Sequence, residues 1–299
     1  MRRLLHILVL VMAFGSLGCT AAPATPKELP LPGIPSTITA PADRADYLLN
    51  HFWDELDFND TILSRDHLFV EQAFSNFVSV FPYATPEARH SAVITLLDKA
   101  KADPTAYGML RDITEEYLYS PDSPVYSEVF YLLFLNEYEN SPLLDEAAKT
   151  RIRAQKESVM KNFPGTKAAD FGFTTREGKS STLHTAADGD ILLVFFDPGC
   201  ENCTELVKFL SANRNFSKAV AEGRITLLAI YSGSDETQWR RKAATMPGEW
   251  IVGIEPGTLE EEDIYEFRTM PTIYLLDKDK NVVLKDLTDQ QLNQFVENI

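Results

Sequence analysis

Two cysteines three positions apart, in Cys200-Glu201-Asn202-Cys203, are the residues of this chain best suited to carry chemistry. They follow an unbroken apolar run, Ile191-Leu192-Leu193-Val194-Phe195-Phe196, through the turn Asp197-Pro198-Gly199. Such a run reads as a buried strand, so the pair is predicted where a strand gives way to a helix. The first sulfur then lies at a helix N-terminus. Unpaired N–H groups and the helix dipole there favour a thiolate, the nucleophilic form of cysteine. A disulfide across so short a loop constrains the unfolded chain by only about 2 kcal/mol, against nearly 5 kcal/mol for a loop of roughly 100 residues. It makes a poor staple, and redox exchange is the better account; a structural bridge and a relic site are the alternatives. Zinc takes about four ligands, and the sequence has neither a second cysteine pair nor paired histidines.

Glu201 and Asp197 place negative charge beside the first sulfur, with no adjacent Lys or Arg in the sequence. Like charge disfavours ionisation. The pair is therefore expected to act as a reductant or moderate exchanger, well below the roughly −120 mV of a strong oxidant. Read differently, both acids are solvated turn residues, and Glu201 is favourable at a helix N-terminus.

The elements that hold the pair are predicted from residue 164 onward. Ile225 to Ile230 and Ile273 to Leu276 are further apolar runs separated by amphipathic stretches, which suits central strands of a sheet covered on both faces. Asn281 to Leu284, after the turn Asp277-Lys278-Asp279-Lys280, reads as an antiparallel strand, and Asp289 to Ile299 has helical spacing. Trp239 and Trp250 flank a helix and strand between the cysteines and Pro271, and aromatic core packing is favoured over a groove-lining role. The cluster Glu260-Glu261-Glu262-Asp263 reads as a solvated helix face. His184, in a loop of the second domain, is a candidate to reach the cysteines.

Residues 43–163 read as an all-α bundle of about six helices. Four starts share a polar residue followed by Pro: Thr85-Pro86, Asp103-Pro104, Ser123-Pro124 and Ser141-Pro142. The polar side chain caps free N–H groups and Pro takes the first helical position. Apolar residues then recur at three and four, as in Val93, Leu96 and Leu97, or Val129, Leu132 and Leu133. Ser123 to Tyr138 is expected at the buried centre. His51, His67 and His90 fall on separate elements and suggest surface or capping roles.

The N-terminus is read as targeting. Arg2 and Arg3 precede the largely apolar stretch Leu4 to Leu17, and Gly18-Cys19 closes it. That stretch is shorter than the roughly 20 residues of a membrane-spanning helix and reads as a secretion signal. Residues 20–42, rich in Pro, Ala and Thr, read as an extended tether. The 299 residues carry a formal net charge of −16, so a phosphate backbone repels the chain and nucleic acid is not an expected partner. With 44% apolar and 24% charged residues, neither disorder nor a polytopic membrane protein is expected.

The cysteine pair, with Thr269-Met270-Pro271-Thr272 entering a core strand and Gly165-Thr166-Lys167-Ala168-Ala169-Asp170-Phe171 before the first strand, resembles the thioredoxin superfamily. The closer resemblance is to the TlpA and ResA-like thiol-disulfide oxidoreductases of the cell envelope. Phe52-Trp53-Asp54-Glu55-Leu56-Asp57-Phe58 and Ser141-Pro142-Leu143-Leu144-Asp145-Glu146 resemble a helical domain of unknown function that precedes such domains in lipoproteins of Gram-negative bacteria.

The resemblance implies an α/β thioredoxin-like C-terminal domain over residues 164–299, a mixed central sheet flanked by helices, after the helical bundle. It implies Cys200 as exposed nucleophile, Cys203 as buried resolving thiol and a cis Pro271 facing them. Met270, Gly199, Glu201 and Asn202 would meet a protein disulfide substrate. A membrane reductant system would supply electrons, and no organic cofactor or metal is implied. Gly18-Cys19 resembles a lipobox, with Ser16 where Leu is usual; it implies lipidation at Cys19 and a periplasm-facing anchor, with Thr20 favouring the outer membrane. Two positions depart from the superfamily: Gly199 stands where thioredoxins carry Trp, and Val194 where a buried acid often assists proton transfer. The competing reading is an adaptor that binds partners through the helical domain and uses the thioredoxin-like fold as scaffold.

Overall fold

The computed structural model describes residues 28–299, so Cys19, the signal segment and the first part of the tether lie outside the described residues. Six α-helices form the first domain: α1 (Pro41–His51), α2 (His67–Ser79), α3 (Pro86–Ala100), α4 (Pro104–Tyr119), α5 (Glu128–Glu139) and α6 (Glu146–Met160). Their core is aromatic, with Trp53, Phe74, Phe77, Phe81, Phe134 and Tyr138 almost fully buried.

Thr85-Pro86 and Asp103-Pro104 do start helices, their side chains accepting bonds from the Ala88 and Thr105 amides. Ser123-Pro124 and Ser141-Pro142 do not. Each serine accepts from the amide two residues on, Val125 at 3.3 Å and Leu143 at 3.3 Å, and closes a turn instead. Ser127 and Asp145 provide the actual caps. The later start of α5 also changes its inward face. Tyr131, Phe134, Leu135 and Tyr138 are buried, while Val129 is exposed and Leu132 and Leu133 are only partly covered. The described part of the tether does not stand clear of the bundle, because Leu29 is 8% exposed and belongs to its core. The histidines lie at the surface, His51 and His67 beside Asp54 and Glu71 one turn on, and His90 of α3 3.9 Å from Glu137 of α5.

The second domain is a seven-stranded mixed sheet with helices on its faces. Its strands are β1 (Gly172–Thr175), β2 (Ser180–Thr182), β3 (Asp190–Phe195), β4 (Ile225–Ser232), β5 (Ile251–Glu255), β6 (Thr272–Leu276) and β7 (Val282–Lys285), in the order β2-β1-β5-β4-β3-β6-β7. The helices are α7 (Glu201–Ala212), α8 (Arg214–Ala221), α9 (Glu236–Ala243), α10 (Thr258–Glu261) and α11 (Asp289–Asn298). β3 lies between parallel β4 and antiparallel β6. Alternate residues of β3, with Phe196 just after it, feed two cores: Leu192, Val194 and Phe196 pack with Cys203 and Trp239, and Ile191, Leu193 and Phe195 with Phe171, Tyr265 and Tyr274. Burial on both faces explains its unbroken apolar sequence. Trp239 and Trp250 are 0% and 4% exposed and belong to the first of these cores.

A buried polar seam joins the two domains. Asn162, in the left-handed region at φ 46°, accepts from the Ala169 amide at 2.8 Å and donates to the Ile264 carbonyl at 3.0 Å. Glu128, at the start of α5, faces two cations of the second domain, with Arg268 Nε 3.2 Å from Oε1 and Lys285 Nζ 2.5 Å from Oε2. The Lys285 ammonium directs its hydrogen bonds to the Val159 and Lys161 carbonyls, at 3.1 and 2.9 Å, so its approach to Glu128 is an ion contact without hydrogen-bond alignment. Arg268 also donates to Ser158 Oγ at 2.7 Å and lies 3.5 Å over the Tyr119 ring. The acidic cluster Glu260 to Asp263 is exposed, as expected, and Asp263, its side chain 78% exposed, also pairs with Lys161 across this seam.

Candidate active site

The cysteine pair is positioned by the β3–α7 junction. Asp197 accepts from the Gly199 amide at 2.7 Å and its carbonyl accepts from the Cys200 amide at 3.1 Å, so the chain turns tightly into the helix. This turn accounts for the small residue before the first cysteine: a Cβ at Gly199 would lie 3.2 Å from Asp197 Oδ1. Cys200 is the N-cap of α7, and its sulfur accepts from the Cys203 amide at 3.1 Å. An amide directed at sulfur stabilises a thiolate there.

The two sulfurs have unequal surroundings. Cys200 is partly exposed and Cys203 is 1% exposed; both thiols are free. Burial pushes the Cys203 thiol up to about 12, helped by its bond with Cys200 and by the nearby charge of Asp197. Cys203 therefore keeps its proton near neutral pH. Val194, 5% exposed in the same core, provides no carboxylate beside it.

Facing the pair is the segment that enters β6. The Met270–Pro271 peptide is cis, and the Cys200 thiol donates to the Met270 carbonyl at 3.3 Å. A groove of about 730 Å³ opens alongside, with Met270, Pro271 and Asn202 in its lining. Cys200, hydrogen-bonded to Cys203 and to Met270, thus sits beside this groove, whose lining holds Met270, Pro271 and Asn202 but neither cysteine. Gly199 and Glu201 are not in this lining; Gly199 packs by Asp197 and Gln238, and Glu201 is exposed on the first turn of α7. His184 is directed elsewhere, its Nε2 being 2.8 Å from the Ala168 carbonyl and its Nδ1 3.8 Å from Asp170.

Several site residues carry no sequence signal. The sequence has no cation next to the cysteines, yet α9 brings Lys242 to within 2.5 Å of Thr204 Oγ1, and the Thr204 hydroxyl donates to the Cys200 carbonyl at 3.1 Å. Arg268 and Asp286, both groove residues, are likewise set by long-range contacts. Burial, reinforced by Glu128, pushes the Asp286 carboxyl up to about 7, against the pull of Lys285. Tyr126 of the helical domain donates to that carboxyl at 3.3 Å.

Comparison with known proteins matches both halves of the chain. Residues 15–162 match a domain of unknown function (DUF5106), and residues 182–295 match a thioredoxin-like domain. A thioredoxin-like protein from Bacteroides caccae is 32% identical, with 92% of this chain and 99% of that chain covered and a TM-score of 0.83. A conserved protein of unknown function from Bacteroides fragilis is 37% identical over 44% of this chain and 98% of its own, with a TM-score of 0.43. The thioredoxin domain of a thiol-disulfide oxidoreductase from Bacteroides vulgatus is 20% identical over 45% of this chain and 96% of its own, with a TM-score of 0.40. A search of the curated proteins finds no match. The extent of the Bacteroides caccae likeness and the two domain matches place this chain in the family of proteins in which the helical domain of unknown function (DUF5106) precedes a thioredoxin-like domain.

Proposed function

We propose that this protein is a thiol-disulfide oxidoreductase that reduces disulfides of protein substrates through Cys200 and Cys203. The observation that carries this reading is the asymmetry of the pair. One sulfur is accessible, receives an amide N–H and meets the Met270 carbonyl beside a cis proline, while the other is buried and protonated.

The Cys200 thiolate attacks one sulfur of the substrate disulfide, and the substrate's other sulfur leaves as a thiolate that takes a proton from water. Cys203 then loses its proton, attacks the Cys200 sulfur and releases the second substrate thiol. The substrate gains two electrons and two protons, and the cysteine pair is left as a disulfide. A membrane-linked dithiol reductant restores it. The Met270 backbone holds the extended substrate segment against Pro271, with Asn202 beside it; Gly199 and Glu201 shape the entrance to the helix. With no acid at position 194, water accepts the Cys203 proton. The negative charge of Asp197 and Glu201 supports the reducing direction. The signal-like N-terminus and Cys19 support a lipid-anchored protein of a Gram-negative envelope, facing the periplasm from the outer membrane.

Turnover tests this reading. The protein with a dithiol reductant is expected to accelerate reduction of a fluorogenic peptide disulfide, and Cys200→Ser to return the rate to that of the reductant alone. Equal rates for the two proteins overturn it.

A further inference from the structure

The groove beside Pro271 has walls from both domains. On one side are Asn202, Leu206 and Phe209 of α7; on the other is the loop Pro121 to Tyr126, which joins α4 to α5 in the helical domain. That loop is held in place relative to Pro271. Pro121 and Pro124 restrict its backbone, Ser127 N donates to the Leu118 carbonyl at 3.1 Å to close it, and Tyr126 donates to Asp286 across the domain boundary. Arg268, two positions before Met270, is gripped by Glu128, Ser158 and Tyr119 of the same domain. A substrate segment seated on Met270–Pro271 therefore meets the helical domain at a fixed place.

The charge of that place is one-sided. Asp122 on the loop and Asp289 at the start of α11 are exposed, and Glu205 of α7 is also exposed with Lys208 2.7 Å away. Arg268, the cation in the lining, already faces Glu128 and Glu266 at 3.2 and 3.1 Å. Apolar contact is offered by Pro121, Leu206 and the part-exposed Phe209.

We propose that the Pro121–Tyr126 loop is the selectivity lip of the exchange site, and that with Asp289 and Glu205 it favours an extended disulfide-bearing segment with Lys or Arg beside its cysteine. This deepens the exchange reading and rests on it by naming the substrate class. The helical domain then acts as part of the substrate cleft, with Asp122 as its charge-selecting residue.

The test uses the full chain and two peptide mixed disulfides, identical except that two Lys or two Glu flank the cysteine. The Lys peptide is expected to be reduced about tenfold faster at low salt, with the advantage shrinking as ionic strength rises. In Asp122→Lys, an exposed substitution, the ratio of the two rates is expected to collapse or invert. Exchange at equal rates for the two peptides, or a preference that Asp122→Lys leaves intact, overturns the lip while the exchange reading stands. If neither peptide is reduced faster than by Cys200→Ser, the exchange reading fails and the lip falls with it.

Discussion

Cys203→Ala is expected to leave Cys200 covalently joined to its substrate. In the exchange sequence, the buried thiol does one thing that nothing else among the described residues is placed to do: it attacks the Cys200 sulfur from the first turn of the helix that Cys200 caps. Without it the first half-reaction proceeds and the second stops. The mixed disulfide should accumulate and survive denaturing electrophoresis without reductant, then vanish when a thiol is added. Cys200→Ser, and the double variant, should trap nothing. Packing does not confuse the comparison, since Ala at the first turn of α7 removes only one buried sulfur, a change of the order of 1 kcal/mol. Adducts formed equally by the double variant would show that capture runs through another part of the chain.

A second large effect is expected at the domain seam. Glu128→Ala removes the carboxylate that faces both Arg268 and Lys285, whose side chains are only 15% and 6% exposed. Removing one partner of a buried ion pair costs about 3–5 kcal/mol, because the remaining charge stays buried. Two nearby groups reduce this. Glu266 remains beside Arg268, and Asp286, freed from the repulsion of Glu128, ionises more readily and offsets part of the uncovered positive charge. The loss is therefore expected toward the lower end of that range, read as a shift in the denaturant midpoint. It should exceed that of Glu128→Gln, which keeps the shape and a hydrogen-bonding oxygen. Because Arg268 leads directly into Met270–Pro271, substrate reduction should slow in Glu128→Ala while alkylation of Cys200 continues. Unchanged stability would mean that the seam is solvated and holds nothing together.

The legible and illegible parts of this molecule divide by the range of the interactions involved. The apolar runs that become β3, β4 and β6 are visible because burial on both sheet faces forces local composition, and the cysteine pair is visible because its chemistry depends on three-residue spacing. The β1–β2 hairpin is too short and too polar to leave such a trace. Helix starts are half legible: Ser123 and Ser141 have the right side chain next to Pro, but a serine that closes a turn looks like one that caps a helix. The groove is the least legible. Its Tyr126–Asp286 bond and the Glu128 pairs join residues about 140 to 160 positions apart, with no periodicity linking them. Lys242 belongs to the same class. Neighbouring sequence leaves the cysteines with negative charge alone, and the fold returns a cation to the first turn of α7.

The central claim is that the Cys200 sulfur is reachable and receives an amide N–H while that of Cys203 is buried and keeps its proton, and alkylation mapped by mass spectrometry tests it directly. With its thiol pushed up to about 12, Cys203 has a thiolate fraction of roughly one in ten thousand at about pH 8. Since the thiolate is the reactive form, its labelling should rise only as pH climbs toward that value. The account predicts that iodoacetamide on the folded, reduced protein modifies position 200 rapidly and spares position 203 until the chain is unfolded. Labelling of both at similar rates, or of Cys203 alone, would contradict it.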